Sequence, residues 1–305
     1  MKNERGKNTA ASVRDRLLNL ARQRGEDFQW LLTRYGLERL LYRLSRSTYR
    51  ERFVLKGAML FLLWGNTPHR PTRDIDFLGI GDSSEAGLKM VFRELCDIAV
   101  EDDGLTLMVD SVQVEAIRDV TEYGGVRVKL VADLAGARIP IQIDIGFGDA
   151  VTPAANEIEY PTLLDNPAPQ VKAYPRETVV AEKYQALVHL GVANSRMKDF
   201  YDLWIIAREF DFDGVTLSRA IDNTFTRRLT PIPDGTPFGL SAEFYADPHK
   251  EKQWNAFLRK GRLETAPPTL GNVFRLLRTF LLPPTENLNG GRDFTAVWKA
   301  GGPWK

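Results

Sequence analysis

The chain has 305 residues, enough for one large domain or two ordinary ones, and its composition is that of a globular protein. Its single cysteine, Cys96, excludes an intramolecular disulfide and a cysteine-rich zinc site, and three histidines argue against most histidine-based zinc enzymes. No apolar run reaches the roughly 18–20 residues of a membrane span, and the N-terminal segment lacks the apolar stretch of a secretory signal. We therefore expect a cytoplasmic protein with no membrane partner.

The net charge of +1 conceals a segregation of charge along the chain. Residues 1–56 have 14 basic and 6 acidic side chains, a balance of +8, whereas residues 57–170 have 8 and 19, a balance of −11. Residues 171–305 have 19 and 15, a balance of +4. An acidic middle between basic flanks fits an enzyme that acts on a polyanion. Solvated faces of basic helices explain the same charges equally well.

The first part of the chain is predicted to be helical over residues 12–46, after a disordered or loosely helical start. Ser12 is the predicted N-cap of the first helix, and Asp27 begins the second. Leucines at near-helical spacing from Leu31 to Leu44 mark the buried side of the second helix. We expect the basic residues on and after this helix to lie at the surface: Arg34, Arg39, Arg43, Arg46, Arg50 and Arg52.

Short strands and helices are predicted to alternate up to about residue 100. They are a strand over Phe53–Leu55, a Lys56-Gly57-Ala58 turn, a helix over Ala58–Trp64, a loop over Asn66–Arg73, a strand over Asp74–Ile80 and a helix capped by Ser83. Three β segments follow, at Leu105–Ile117, Val126–Leu134 and Ile139–Phe147. In the last of these, alternation places Gln142 and Asp144 on one face.

The second half of the chain is predicted to be mainly helical. Residues 149–175 are rich in Pro, Ala and Asn and predict a linker or a surface segment. The predicted helices cover Glu177–Gly191, Asn194–Phe210, Leu217–Arg228, Glu251–Arg259 and Leu270–Leu282. A Pro- and Gly-rich loop is predicted over residues 230–248.

A pair of carboxylates stands at the centre of the predicted chemistry. Asp74 and Asp76 are two residues apart on a predicted strand, so their side chains lie on the same face. Adjacent carboxylates repel each other, and Mg²⁺ is the hard cation that such oxygens suit best. Asp144 on a later strand and the turn at Gly57 add a third carboxylate and a backbone site for phosphate. This set suits nucleotidyl transfer with two Mg²⁺, although carboxylates with this spacing also occur on solvated strands.

Four motifs, in this order, carry a resemblance to a known family: KGAMLFLLWG…RPTRDIDFL, IQIDIGFGD, AEKYQALV and RMKDFYDLWII. They resemble the AbiEii/AbiGii family of nucleotidyltransferase toxins, which includes the MenT toxins, over about residues 50–210. The resemblance implies an α+β fold in which a minimal nucleotidyltransferase domain related to DNA polymerase β, with a mixed sheet, is joined to a helical C-terminal domain. It also implies a toxin that transfers a nucleotide from an NTP, with Mg²⁺ or Mn²⁺, onto RNA. In MenT-type members the acceptor is the tRNA 3′ end, and a cognate antitoxin is the implied protein partner.

The resemblance also assigns roles to single residues. Asp74, Asp76 and Asp144 match the metal ligands, and Asp74, Asp76, Lys183 and Asp199 are the candidate catalytic residues. The candidate nucleotide-binding residues are Lys56, Gly57, Thr72, Arg73, Lys183, Lys198 and Asp202, with Arg70 as an alternative to Arg73. Ala58 departs from the pattern, since the family has a second glycine there. Arg196, Asp199 and Asp202 share a helix face, so surface ion pairs also explain the two acidic residues.

The expected organisation is a nucleotidyltransferase domain over residues 1–165, including the N-terminal helices, and a helical domain over residues 166–305. We expect the NTP between them, with Lys183 and Asp199 reaching across to Asp74 and Asp76. RNA is expected along the basic surfaces of the first 52 residues and of the C-terminal helices. Two other functions stay open: a non-catalytic nucleotide-binding regulator, and a nucleotidyltransferase that modifies a small molecule or a protein.

Overall fold

Two units make up the chain: Met1–Gly148 with Asn156–Ala173, and Asp149–Ala155 with Tyr174–Lys305. The computed structural model describes residues 2–65, 70–117 and 124–305, with side chains from residue 8 onward. The domain boundary at residue 165 stays a prediction. Over the described residues, no helix combines the length and the apolar character that crossing a membrane requires.

A mixed sheet forms the centre of the first unit. Its strands are β1 (Phe53–Lys56), β2 (Asp74–Gly79), β3 (Thr106–Leu107), β4 (Gln113–Ile117), β5 (Gly125–Leu134), β6 (Ala137–Phe147), β7 (Asn156–Glu159) and β8 (Gln170–Ala173). Within the described residues these eight strands have the order β3-β5-β6-β2-β1-β8-β7, and β4 also pairs with β5. The strand β2 is antiparallel to β1 and parallel to β6. The mixed sheet predicted for this part of the chain is therefore confirmed.

The strands β7 and β8 lie in the stretch predicted as a linker, so that prediction is wrong for these residues. Each has four residues, too few for alternation to stand out among the surrounding prolines. β8 joins the sheet by pairing parallel with β1, at Val54–Lys172 and Leu55–Ala173. The predicted single segment Leu105–Ile117 is also divided, because a 3-10 helix over Val109–Ser111 separates β3 from β4.

The helices of the first unit are α1 (Lys2–Arg24), α2 (Phe28–Ser45), α3 (Phe61–Trp64) and α4 (Glu85–Asp97). Ser12 lies inside α1, so its predicted capping role is wrong. Asp27 does cap α2, because its carboxylate accepts a hydrogen bond from the Trp30 backbone N–H at 2.8 Å. Ser84, rather than the predicted Ser83, caps α4. Of the predicted Asn66–Arg73 loop, residues 66–69 lie outside the described residues.

Helix α2 is buried on all sides between residues 31 and 44. The leucine spacing predicted only one buried side. Its arginines Arg34, Arg39 and Arg43 are buried, so the prediction that they lie at the surface is wrong. The reason is a buried acidic partner: Arg39 and Arg43 donate to Asp103 Oδ2 at 3.2 and 2.8 Å. A buried charge is tolerated when it is paired and hydrogen-bonded, and these pairs tie α2 to the chain before β3.

The second unit is helical, as predicted for this part of the chain. Its elements are α5 (Arg176–Leu190), α6 (Met197–Glu209), β9 (Phe212–Asp213), α7 (Gly214–Arg227), α8 (Ala242–Ala246), α9 (Pro248–Gly261), α10 (Leu270–Asn289) and β10 (Val297–Trp298). The five predicted helices correspond to α5, α6, α7, α9 and α10. The short helix α8 lies in the stretch predicted as a loop.

Helix α10 continues through Pro283 and Pro284, although the sequence predicted its end at Leu282. A proline has no N–H, so the carbonyl four residues earlier loses its donor within the helix. The indole Nε1 of Trp304 donates to the carbonyl of Phe280 at 3.0 Å and replaces the donor that Pro284 lacks. The Trp304 ring also stacks on the Phe280 ring, with centroids 5.9 Å apart. A contact with a distant residue thus stabilises a helix that local rules terminate.

Candidate active site

Three carboxylates come together on one face of the sheet, on the adjacent strands β2 and β6. Asp76 pairs directly with Asp144 across these strands, and Asp74 pairs with Gln142. Oxygen atoms of Asp74, Asp76 and Asp144 all lie within 4.8 Å of one another. The three residues are partly exposed, whereas Ile75 and Ile143, which alternate with them, are buried. The alternation therefore sends the apolar side chains into the core and the carboxylates to the opposite face.

The turn after β1 packs directly against these carboxylates. Lys56 ends β1 opposite Asp76, and Gly57 follows with a φ of +75°. A Cβ atom at Gly57 would lie 1.9 Å from Asp76 Oδ2, so a side chain here has no room unless Asp76 moves. Gly57 also begins a short 3-10 helix that leads into α3. The sequence pattern thus brings the predicted phosphate-binding turn to the carboxylate site, with Ala58 buried behind it.

An arginine that the sequence analysis did not select occupies the other side of Asp144. Arg127 on β5 pairs directly with Asp144 on β6. Its Nε donates to Asp144 Oδ1 at 2.8 Å, and its Nη2 donates to Oδ2 at 2.7 Å. The hydrogen bonds to Asp144 raise the pKa of Arg127 above its usual value, even though partial burial opposes this. Both oxygens of Asp144 therefore face a guanidinium group.

The predicted loop residues differ in their relation to the site. Thr72 donates its hydroxyl hydrogen to Asp74 Oδ1 at 2.6 Å, which fixes the orientation of that carboxylate. Arg73 is exposed, and Arg70 is partly exposed. Thr72 therefore contacts the carboxylate cluster directly.

Three further predicted site residues, Lys183, Asp199 and Asp202, form an ionic cluster in the second unit. Lys183 on α5 places its Nζ 2.7 Å from Asp199 Oδ1 and 2.8 Å from Asp202 Oδ2, both on α6. Arg196 places its Nε 2.6 Å from Asp199 Oδ2. The side chains of Asp199 and Asp202 are 1% and 0% exposed, whereas that of Lys183 is 12% exposed. Lys198, the remaining candidate here, is exposed on α6.

The charges in this cluster balance each other. Burial opposes ionisation of Asp199, but the positive charges of Lys183 and Arg196 outweigh it and hold the pKa of Asp199 below its usual value. Two buried carboxylates therefore face two basic groups. The side chain of Asp202 is fully buried and contacts the Lys183 ammonium group. The predicted meeting of Lys183 with Asp74 and Asp76 across a bound nucleotide stays a prediction.

The donor set on the sheet fits a divalent cation such as Mg²⁺. Carboxylate oxygens are the hard ligands this ion prefers, and the distance of at most 4.8 Å allows three of them to approach one ion. The backbone of Gly57 lies so close to Asp76 that there is no room for a side chain between them, so this backbone borders the carboxylate cluster. Asp74, Asp76 and Asp144 would hold the metal.

Arg127 could have been found from the sequence by one further step. The two-residue turn at Ala135-Gly136, in which both residues have positive φ, fixes the register of the β5–β6 hairpin. That register puts Arg127 opposite Asp144.

Comparisons with known proteins give one family and two structural similarities. Residues 39–276 match the model of the nucleotidyl transferase AbiEii toxin family of type IV toxin–antitoxin systems. A crystal structure of a candidate nucleotidyltransferase from H. pylori is similar over 84% of this chain and 95% of that one, with 16% identity and a TM-score of 0.48. The crystal structure of JHP933 from Helicobacter pylori is similar over 83% and 93%, with 17% identity and a TM-score of 0.40. No curated protein matches the chain.

The family match spans more than three quarters of the chain, from within α2 to within α10. It includes the carboxylate cluster of the first unit and the Lys183 cluster of the second. On this basis the protein belongs to the AbiEii family of nucleotidyl transferase toxins of type IV toxin–antitoxin systems.

Proposed function

We propose that this protein is a metal-dependent nucleotidyltransferase that moves NMP from an NTP to RNA, with the tRNA 3′ end as acceptor. The observation that carries the proposal is the cluster of Asp74, Asp76 and Asp144 beside the Gly57 turn. In this reaction the acceptor hydroxyl loses its proton to solvent and its oxygen bonds to the α-phosphorus. The bond between the α-phosphorus and the oxygen that bridges to the β-phosphate breaks, and pyrophosphate leaves with that oxygen. Blocking the tRNA end would stop aminoacylation and hence translation.

The residues of the first unit would bind and orient the NTP. Asp74, Asp76 and Asp144 would hold Mg²⁺ or Mn²⁺, which supplies positive charge for the transferred phosphoryl group. The Gly57 turn would offer backbone N–H groups to a phosphate, and Lys56, opposite Asp76, adds a positive charge at this turn. Thr72 keeps Asp74 oriented through its 2.6 Å hydrogen bond. Arg73, exposed in the preceding loop, is available to the triphosphate.

Lys183 is proposed to donate to the triphosphate as a point charge. Asp199 and Asp202 support this role because they surround the ammonium group and favour its charged form. Asp199 is thereby a positioning residue, since it acts through Lys183 and Arg196. The exposed Lys198 is proposed as a further contact for phosphate.

The RNA surface is proposed from exposed basic side chains. Arg22 and Arg24 on α1 are exposed, as are Arg259 and Lys260 on α9 and Arg275 and Arg278 on α10. The buried arginines of α2 drop out of this surface, although they contribute to the positive charge of the first 56 residues. Binding through phosphates predicts an affinity for RNA that falls steeply with salt. The family implies a cognate antitoxin as the protein partner.

Separate Asp74→Ala and Lys183→Ala variants test the function. Each would be incubated with labelled NTPs and total tRNA, followed by sequencing of the RNA 3′ ends. We expect the wild type and a Lys89→Gln control, altered at an exposed residue of α4, to incorporate label, and both test variants to lose incorporation. Retained incorporation in both test variants contradicts the assignment. NTP binding without pyrophosphate release indicates a regulator, and label in a protein or small molecule indicates a different acceptor.

A further inference from the structure

The charged side chains around the metal site form a row across five adjacent strands. Lys56 pairs with Asp76, Asp76 with Asp144, Asp144 with Arg127, and Arg127 with Glu115. The row therefore runs from β1 through β2, β6 and β5 to β4, on the face away from the buried isoleucines. Two carboxylates stand together at its centre, and a basic residue flanks them on each side.

Arg127 makes its hydrogen bonds to Asp144 and not to Glu115, its other neighbour in the row. Glu115, its neighbour on β4, pairs instead with Lys129, whose Nζ lies 2.6 Å from Glu115 Oε1. Arg127 makes two parallel hydrogen bonds to Asp144, at 2.8 and 2.7 Å. Planar pairing of a guanidinium with a carboxylate is the strongest geometry that these two groups form. The Nε2 of Gln142 also approaches Asp144, at 3.3 and 3.4 Å from its two oxygens.

The same two oxygens are the atoms that a metal ion would use. A guanidinium group facing both of them repels an approaching cation and occupies the lone pairs directed toward it. Arg127 is nevertheless able to move away, since 32% of its side chain is exposed to solvent and Asp144 is 19% exposed. The ion pair is therefore partly buried, and its arginine has access to solvent.

We propose that Arg127 is a built-in counter-ion of Asp144 that competes with the divalent cation for this carboxylate. Without metal, Arg127 neutralises one of the three clustered carboxylates and limits their mutual repulsion. Metal binding at Asp144 requires this pair to be weakened or broken, so Arg127 lowers the affinity of the site for metal. The inference rests on the proposed function only in taking the three carboxylates as a metal site.

Mn²⁺ titration of the full-length protein tests this competition, with free Mn²⁺ measured by electron paramagnetic resonance in the absence of nucleotide. Arg127→Gln removes the charge and the paired donors, and we expect it to bind Mn²⁺ on the order of tenfold more tightly than the wild type. Lys129→Gln is the matched control, because Lys129 lies two residues away on the same strand face and pairs with Glu115. We expect its Kd to stay within about twofold of the wild type.

Arg127→Lys separates pairing from charge. Lysine keeps the positive charge but not the two parallel donors, so competition predicts a Kd between those of the wild type and Arg127→Gln. A Kd for Arg127→Gln equal to or weaker than that of the wild type overturns the inference. An equal gain in Lys129→Gln also overturns it, because the effect would then be one of distant charge. Should Arg127→Gln fail to fold, Arg127→Lys decides: a tighter Kd supports competition, and an unchanged one opposes it.

The melting temperature gives a second readout that does not depend on catalysis. If Arg127 relieves repulsion among the carboxylates, Arg127→Gln should melt at a lower temperature without metal and gain more from added Mg²⁺ than the wild type. An unchanged gain contradicts the proposal. A wild type that binds no Mn²⁺ would overturn the proposed metal-dependent function as well, whereas normal binding with an unaffected Arg127→Gln overturns this inference alone.

Discussion

The two units hold acidic side chains in opposite ways. In the second unit, Asp199 and Asp202 are almost fully buried and are matched by Lys183 and Arg196. In the first unit, three carboxylates lie partly exposed within 4.8 Å of one another, and Asp144 also pairs with Arg127, which is itself partly exposed. Buried carboxylates have to be neutralised by the protein itself, whereas exposed ones leave room for a cation from solution. The buried cluster of the second unit holds the Lys183 side chain in place, whereas the partly exposed cluster of the first unit is suited to binding a cation.

The largest effect on stability is expected from breaking the buried cluster at its centre. Lys183→Met leaves Asp199 and Asp202 without their shared cation, which should lower the free energy of unfolding by about 3–5 kcal/mol. Urea denaturation measures this loss. Lys198→Met is the control, because Lys198 is exposed on the same helix as the two acidic residues, and it should change stability by less than about 0.5 kcal/mol. Similar losses in both variants would show that the buried ion pairs of Lys183 do not contribute more to stability than an exposed lysine does.

A smaller loss is expected from crowding the open cluster. Gly57→Ala places a Cβ atom 1.9 Å from Asp76 Oδ2 and forces alanine into a φ of +75°, which should cost about 1–3 kcal/mol. Mn²⁺ binding should weaken as well. Gly136→Ala imposes a similar φ of +81° in open space, so it should cost only about 1 kcal/mol and leave Mn²⁺ binding intact. Equal behaviour of the two variants would mean that backbone strain alone matters at Gly57.

The pH dependence of stability tests the charge balance around Asp199. Its pKa is lowered in the folded protein, because Lys183 and Arg196 outweigh the effect of burial. The resulting stabilisation is complete above the unfolded pKa of about 3.9 and is lost as the pH falls through the folded pKa. Asp199→Asn lacks this group, so its stability should fall less steeply in acid, by at most about 1.4 kcal/mol per pH unit. Urea denaturation from pH 6 to pH 3 measures both slopes, and parallel curves would rule out the ionic contribution.

The smallest effect is expected where a single open carboxylate is neutralised. Asp74→Asn removes one of three neighbouring negative charges but keeps an oxygen that accepts from Thr72. The free energy of unfolding of the metal-free protein should rise by about 0.2–1 kcal/mol at low salt, and the gain should shrink as salt is added. Nucleotide incorporation should nevertheless be lost. A loss of stability in this variant would indicate that Asp74 supports the fold.

Local patterns predicted the parts of the site that depend on a single strand or helix. A period of two residues sets the faces of β2 and β6, so neighbouring residues predicted that Asp74 and Asp76 share a face and that Asp144 alternates with buried isoleucines. The grouping of the three carboxylates was implied by the family resemblance. Gly191 ends α5 as expected. Such features depend on a few consecutive residues, which is the range that sequence patterns describe.

Features that depend on distant partners were missed. Burial of Arg39 and Arg43 depends on Asp103, about 60 positions along the chain, and helix α10 passes two prolines with the help of Trp304. The pairing of Arg127 with Asp144 lies between these cases, because a turn between the two strands fixes it. In each example the missing information was the identity of a neighbour in space, which spacing along one element does not provide.

The row of paired charges across the sheet limits which insertions and substitutions the sequence can accept during evolution. Each member is placed by its odd or even position in its strand. Inserting one residue into β6 before Asp144 would turn that carboxylate toward the apolar core and bring an isoleucine to the site. Substitutions at the ends of the row and insertions between strands preserve this parity. Lengthening or shortening a strand by one residue does not, so this site should tolerate new side chains more readily than new strand lengths.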